Sequence, residues 1–238
     1  MHCTIDPATT QMKFSLLSPT DVSMYDTQLF DTNGVLQPVA ASWLDNIYNT
    51  ASNDLRVFCH KHGIYGLMTH ELISFIHGLI PEGSKTIEVA AGNGGFGKYL
   101  GITSTDSFVQ NTPDMQAYYA FLGQPTVKYG AHVEELEASQ AIAKYAPDVV
   151  FASWATQYAP PNAEMAGGGS IFGLKETEFM CHIKKYILYG NENIHGLKEL
   201  FRATYATQWR VSSYRYPGFM FSRASDHTKN TLWVIDKI

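Results

Sequence analysis

The sequence predicts an α/β fold: a doubly wound, mostly parallel sheet with an antiparallel strand near the C-terminus and a helical extension at the N-terminus. Three observations carry this. From Lys85 onward, short β-branched or apolar runs alternate with helical patterns, and such alternation means parallel strands joined by covering crossovers. The first of these runs passes straight into a glycine-rich turn, Gly92 to Gly97. The first third of the chain shows helical periodicity instead.

Each element follows from its local pattern. Val39 to Asn49 places Val39, Trp43, Leu44, Ile47 and Tyr48 on one apolar stripe. Asn53 to His60 reads as a second short helix. Thr69 is an N-cap for His70 to Leu79, and Pro81-Glu82-Gly83 stops that helix. Strands are expected at Lys85–Ala90, Ile102–Thr105, Val133–Leu136, Asp148–Ser153 and Lys184–Tyr189, with a helix at Ser139–Tyr145. Phe219–Ser222 and Thr231–Ile235, separated by the polar run Arg223 to Asn230, read as a closing hairpin. The chain divides on this reading into a helical extension or cap over residues 1–60 and a sheet domain over 61–238. Two uses are open for the extension, a cap over a site or a homodimer surface.

Composition narrows the class. Of 238 residues 45% are apolar and only 16% charged, which excludes disordered and fibrous chains. The net charge of −5 argues against a general nucleic-acid binder, which needs a basic face. Cys3, Cys59 and Cys181 are far apart and form no CxxC pair, so neither a zinc ribbon nor a disulfide framework is expected, and a reducing, cytoplasmic setting is. The opening residues lack the basic-then-apolar pattern of a secretory leader. No run approaches the ~20 apolar residues of a membrane span.

The chemistry sits after the strands, where ligands of such sheets bind. Gly92, Gly94 and Gly97 match GxGxxG, a spacing that alone fits two ligands. A dinucleotide would rest its pyrophosphate on the following helix, with an acid ~20 residues on for the ribose. A nucleoside with a cationic amino-acid tail needs no phosphate cradle. Glu88, inside the strand four residues before Gly92, would repel a pyrophosphate but pair with an ammonium. Asp106 ends the next strand only twelve residues after Gly94, and a carboxylate there offers two acceptors to ribose hydroxyls. Its ordinary alternative is a turn or cap aspartate.

With these residues in place, the sequence resembles the class I S-adenosylmethionine-dependent methyltransferases, whose Rossmann-like first motif reads acid-x-Gly-x-Gly-x-Gly. Glu88, Gly92 and Gly94 fit it, with Asn93 between the glycines, and Ala90 stands where the first glycine usually lies. The resemblance implies that Asp106, with Ser107, holds the ribose, and that Glu137-Ala138 borders the adenine. It implies that Ser153-Trp154 touches both cofactor and substrate, and that Tyr65 contacts the methionine end. The blocks Tyr65-Gly66-Leu67, TIEVAAGNG, ITSTDS, PDVVFASW and YILYGNENIHG are similar to a methyltransferase-like group, and the resemblance spans roughly residues 62–200. It implies S-adenosylmethionine as cofactor.

The acceptor is read as a small molecule, because no Asn-Pro-Pro-Tyr or Asp-Pro-Pro-Tyr follows the fourth strand. Neither nucleic acid nor membrane is expected as a partner. His195, after Asn191-Glu192, is the best single candidate for a general base by its position and its titration near neutral pH; an ordinary loop histidine is the alternative. His60, His62, His70 and His77 lack a third convergent ligand, so no metal site is expected. Pro160 to Ser170 is Gly-rich and long enough for a lid or a connector. Two other functions stay open: a nicotinamide-dependent oxidoreductase using the GxGxxG loop, and a non-catalytic cofactor-binding protein with the same fold.

Overall fold

The computed structural model describes residues 21–160, 169–201, 208–215 and 218–238. The segment read as a lid falls largely on 161–168, and Cys3 on 1–20, outside the described residues.

Helix α1 (Asp26–Leu29) leads to α2 (Ala41–Lys61). The two helices expected here are continuous, but Ala51 breaks the helical geometry (φ −148°, ψ 48°) and kinks α2 between them. Strand β1 (Gly66–Leu67) precedes α3 (His70–Leu79), whose Thr69 side chain accepts from Leu72 N–H at 3.0 Å as an N-cap. The sheet then builds through β2 (Thr86–Glu88), α4 (Gly95–Leu100), β3 (Thr103–Asp106), α5 (Pro113–Phe121), β4 (Glu134–Glu135), α6 (Ala138–Tyr145) and β5 (Val149–Ser153). It finishes with α7 (Glu176–Phe179), β6 (Lys185–Asn191), α8 (Glu192–His195), β7 (Trp209–Tyr214), β8 (Phe221–Ser222) and β9 (Asn230–Lys237).

Seven strands lie in the order β4-β3-β2-β5-β6-β9-β7, and β1 pairs with β8 separately. All neighbours from β4 to β6 are parallel; β9 runs antiparallel to both β6 and β7. The predicted doubly wound, mostly parallel sheet with an antiparallel C-terminal strand is therefore the observed one. The expected closing hairpin is not. Phe221–Ser222 pairs with Gly66–Leu67, while β9 inserts between β6 and β7. Alternation marks a segment as strand without naming its partner. A strand as apolar as Leu232–Ile235 is buried on both sides and requires two neighbours.

Each face of the sheet has its own core. Val149, Phe151, Ile187 and Tyr189 point to the side covered by α2, α3 and α4; Val150, Ala152, Tyr186 and Leu188 point to the side of α6 and α7. Val22, Tyr25, Leu29 and Leu44 belong to the first core, so the N-terminal helices pack onto the sheet that carries the site.

Candidate functional site

The parallel strands end in one cleft of about 1080 Å³. Its wall takes residues from just beyond β2 (Ala90–Asn93), β3 (Asp106, Ser107), β4 (Glu137, Ala138) and β5 (Ser153, Trp154), together with Tyr65 before β1. Of the predicted site residues, only Glu88, Gly94 and His195 lie off this wall.

The glycine loop is built by its backbone. Ala90, Gly92 and Gly94 all have positive φ (51°, 54° and 75°). Ala90 is thus a non-glycine residue held in the left-handed region, at a cost of about 1–2 kcal/mol. A Cβ on Gly94 would stand 2.7 Å from His132 Nε2. Asn93 staples the loop: its Oδ1 accepts from Leu36 N–H (2.6 Å), and its Nδ2 donates to the carbonyls of Gly34 and Lys128. Asn93 therefore ties the loop to the N-terminal segment as well as lining the cleft.

Asp106 braces the loop from β3. Its Oδ2 accepts from Gly92 N–H (2.9 Å) and its Oδ1 from Phe108 N–H (3.0 Å). Ser107 N–H and the Tyr129 hydroxyl also bear on this carboxylate, which lines the cleft. Burial raises the Asp106 carboxyl above its usual range, against those backbone donors. Glu137 caps α6 in a reciprocal capping box with Gln140 and lines the cleft.

Glu88 has a different role from the expected ammonium partner. It is fully buried beneath the loop, and its Oε2 accepts from Gly97 N–H (2.9 Å) and Ser104 Oγ–H (2.8 Å). Its Oε1 has no partner among the described residues, and burial pushes the carboxyl up to about 8. Glu88 holds the start of α4 in place from below.

His195 also faces inward. It is wholly buried behind Trp154, ring centroids 5.4 Å apart, and its Nδ1 accepts from Asn191 N–H (3.0 Å). Burial, with Lys198 adding to it, drives its imidazole down to about 3. Gly190 leaves the room it needs: a Cβ there would stand 2.5 Å from Nδ1. The structure thus makes His195 a packed latch beside β6, out of reach of the cleft, because α8 turns it back onto the sheet.

Aromatic side chains form the rest of the wall. Trp154 (φ +58°) stacks on Tyr65 with centroids 6.2 Å apart and planes 27° from parallel, and the Arg223 guanidinium lies over the Tyr65 ring, 3.8 Å from its centroid. Gly66 is required by this packing, since a Cβ there would meet Trp154 Nε1 at 2.6 Å. Tyr119 and Tyr129 lean in from α5 and the segment after it, Tyr129 stacked on Phe108 at 4.1 Å. The sequence reading missed these two and His62, which lines the same wall. The density of tyrosines in 118–129 was their one visible signal. Charged lining residues are Asp106, Glu137 and Glu178 against Lys175. Among the described residues no three His, Cys, Asp or Glu side chains converge as metal ligands, and no helix is long and apolar enough to cross a membrane.

No family model and no curated protein matches the chain. Solved structures show remote likenesses. An uncharacterised protein from Listeria monocytogenes serotype 4b is 10% identical (TM-score 0.39), over 71% of this chain and 68% of that one. A protein in the NADB-Rossmann superfamily from Streptococcus agalactiae is 8% identical (TM-score 0.38), over 72% and 69%. An rRNA methylase from Streptococcus thermophilus is 11% identical (TM-score 0.37), over 71% and 96%. At these scores the fold assignment rests on the chain's own strand order: a doubly wound α/β sheet with its ligand cleft at the carboxyl ends of the strands.

Proposed function

We propose that this protein is a methyltransferase that binds S-adenosylmethionine in the cleft and methylates a small-molecule acceptor. One observation carries the choice of ligand: Gly97 N–H, in the first turn of α4, is taken by the buried Glu88 carboxyl. A pyrophosphate would need that helix end free and would find this donor already taken. A nucleoside without phosphates makes no such demand. The same contact argues against the nicotinamide reading.

The residues present fit such a ligand. Asp106 lines the cleft at the end of β3, where a carboxylate can accept from a ribose hydroxyl, and Glu137 stands at the next strand end. The acidic balance of the lining suits a cationic ligand. When bound, S-adenosylmethionine supplies an electrophilic methyl group on a positively charged sulfur. Tyr65 and Trp154 line the cleft as bulky aromatic walls that exclude water. Among the described residues Lys175 is the single lysine or arginine on the wall, which supports a small acceptor over a polyanionic one. Titration calorimetry with S-adenosylmethionine and S-adenosylhomocysteine is the test: saturable binding of both is expected, and no heat from either overturns the reading.

A further inference from the structure

His62 is the one histidine of the cleft wall that an acid holds in place. It stands at the end of α2, three residues before Tyr65, with its ring between Phe30 and Phe58 (centroids 5.0 and 4.6 Å). Asp26 Oδ1 lies 3.1 Å from its Nε2, within ion-pair reach but off the line of a hydrogen bond, and neither atom has a hydrogen-bond partner among the described residues. Nδ1 makes no hydrogen bond among the described residues, and it is not among the sealed unpartnered atoms. An acid at one ring nitrogen fixes the proton there and leaves the other as a lone pair.

Other groups on the wall are less suited to take a proton. Asp106 and Glu137 are engaged with backbone N–H groups. Glu178 is paired with Lys175 at 3.4 Å and lies largely in water. The phenols of Tyr119 and Tyr129 are raised by burial.

We propose that His62, oriented by Asp26, is the general base of the cleft, removing the proton from a hydroxyl or amine acceptor during methyl transfer. This rests on the methyltransferase reading above. The acceptor atom's lone pair forms the new bond to the methyl carbon. The carbon–sulfur bond breaks, and its electron pair stays on sulfur, which becomes a neutral thioether. The acceptor's proton moves to Nδ1 of His62. The resulting imidazolium faces the Asp26 carboxylate until the proton passes to water. Burial keeps the imidazole below its usual value, so it is neutral and ready near pH 7; Asp26 opposes that shift, and Lys128 and Lys61 add to it.

The test uses the full chain with ¹⁵N-labelled histidine. At pH 7.5 the His62 signal is expected to show the proton on Nε2 and a bare Nδ1. Asp26→Asn should lower its pKa by about half a pH unit or more. Calorimetry with S-adenosylhomocysteine should give His62→Gln the wild-type Kd within about twofold. With catechol and benzylamine as acceptor probes, S-adenosylhomocysteine formation should fall about 100-fold or more in His62→Gln. Its acid limb should follow the His62 pKa and shift with Asp26→Asn. A proton on Nδ1 overturns the proposal, as does a His62 pKa indifferent to Asp26→Asn. A tenfold loss of S-adenosylhomocysteine affinity in His62→Gln also overturns it, by making His62 a ligand holder. If wild-type protein does not bind S-adenosylhomocysteine at all, the methyltransferase reading itself fails, a result separate from these.

Discussion

Among the described residues two glutamates are buried, and they are accommodated in different ways. Glu176, in α7, meets a buried cation: Lys198 Nζ lies 2.7 Å from its Oε1, and Tyr186 donates to the same oxygen at 2.8 Å. Burial pushes the Glu176 carboxyl up and the Lys198 ammonium down, and each partner opposes the other's loss of charge. Glu88, under the glycine loop, has no cation. One hydroxyl and one backbone N–H serve its Oε2, and Oε1 goes without. The first arrangement cross-links secondary structure. The second ties the end of β2 to the first turn of α4.

The largest effect expected from breaking this contrast is at the paired site. Lys198→Met leaves Glu176 buried and unpaired, and should cost about 3–5 kcal/mol in urea unfolding. Replacing both partners, Lys198→Met with Glu176→Leu, should recover most of that loss. If the single variant costs under ~1 kcal/mol, the pair is not what the geometry describes.

A third acid, Asp106, accepts from backbone N–H groups of the glycine loop and of the turn after β3 and also lines the cleft. Asp106→Ala should weaken S-adenosylhomocysteine binding by about 1.5–3 kcal/mol, the scale of charge-assisted hydrogen bonds. Unchanged affinity in calorimetry would remove Asp106 from the site.

At Glu88 the expected effect is a pH slope. The carboxyl titrates near 8 in the folded chain and near 4.5 when unfolded. The native state therefore holds the proton more tightly, and stability should fall as pH rises from about 4.5 through 8. Glu88→Gln keeps an acceptor for Gly97 N–H and removes the charge. It should flatten that slope and gain about 1–2 kcal/mol at pH 8.5. Denaturation curves at pH 6 and 8.5 compare the two, and a slope that survives in Glu88→Gln would assign it to another group. The smallest effect is at Ala90, where Ala90→Gly relieves the positive φ. The relief exceeds the entropy that glycine adds to the unfolded chain, so a gain of up to about 1 kcal/mol is expected as a higher Tm.

Much of this was legible in the residues and some was not, for identifiable reasons. Glycine loop, Asp106, Glu137 and Ser153-Trp154 follow successive strands, and parallel crossovers bring successive strand ends to one edge, so their meeting in one cleft follows from order alone. The direction of Glu88 does not follow: a residue at a strand end faces ligand or core according to how the loop above it folds. His195 was misread for the same reason, since a four-residue helix turns it back onto Trp154. His62, Tyr119 and Tyr129 reach the wall from irregular segments or helix ends, which carry no periodic signal of where they point.

By itself the sequence determined the mostly parallel α/β class, most of the strands from Lys85 on, and the meeting of the glycine loop, Asp106, Glu137 and Ser153-Trp154 at one edge, because these depend on local period and chain order; it gave no sign of β1, α5 or β7. Tertiary structure alone decided that β9 pairs with β7, that Glu88 braces α4, and that Asp26 reaches His62. Each of those is a contact between parts of the chain distant in sequence, set by close packing of the whole and by the need of every buried polar group for a partner.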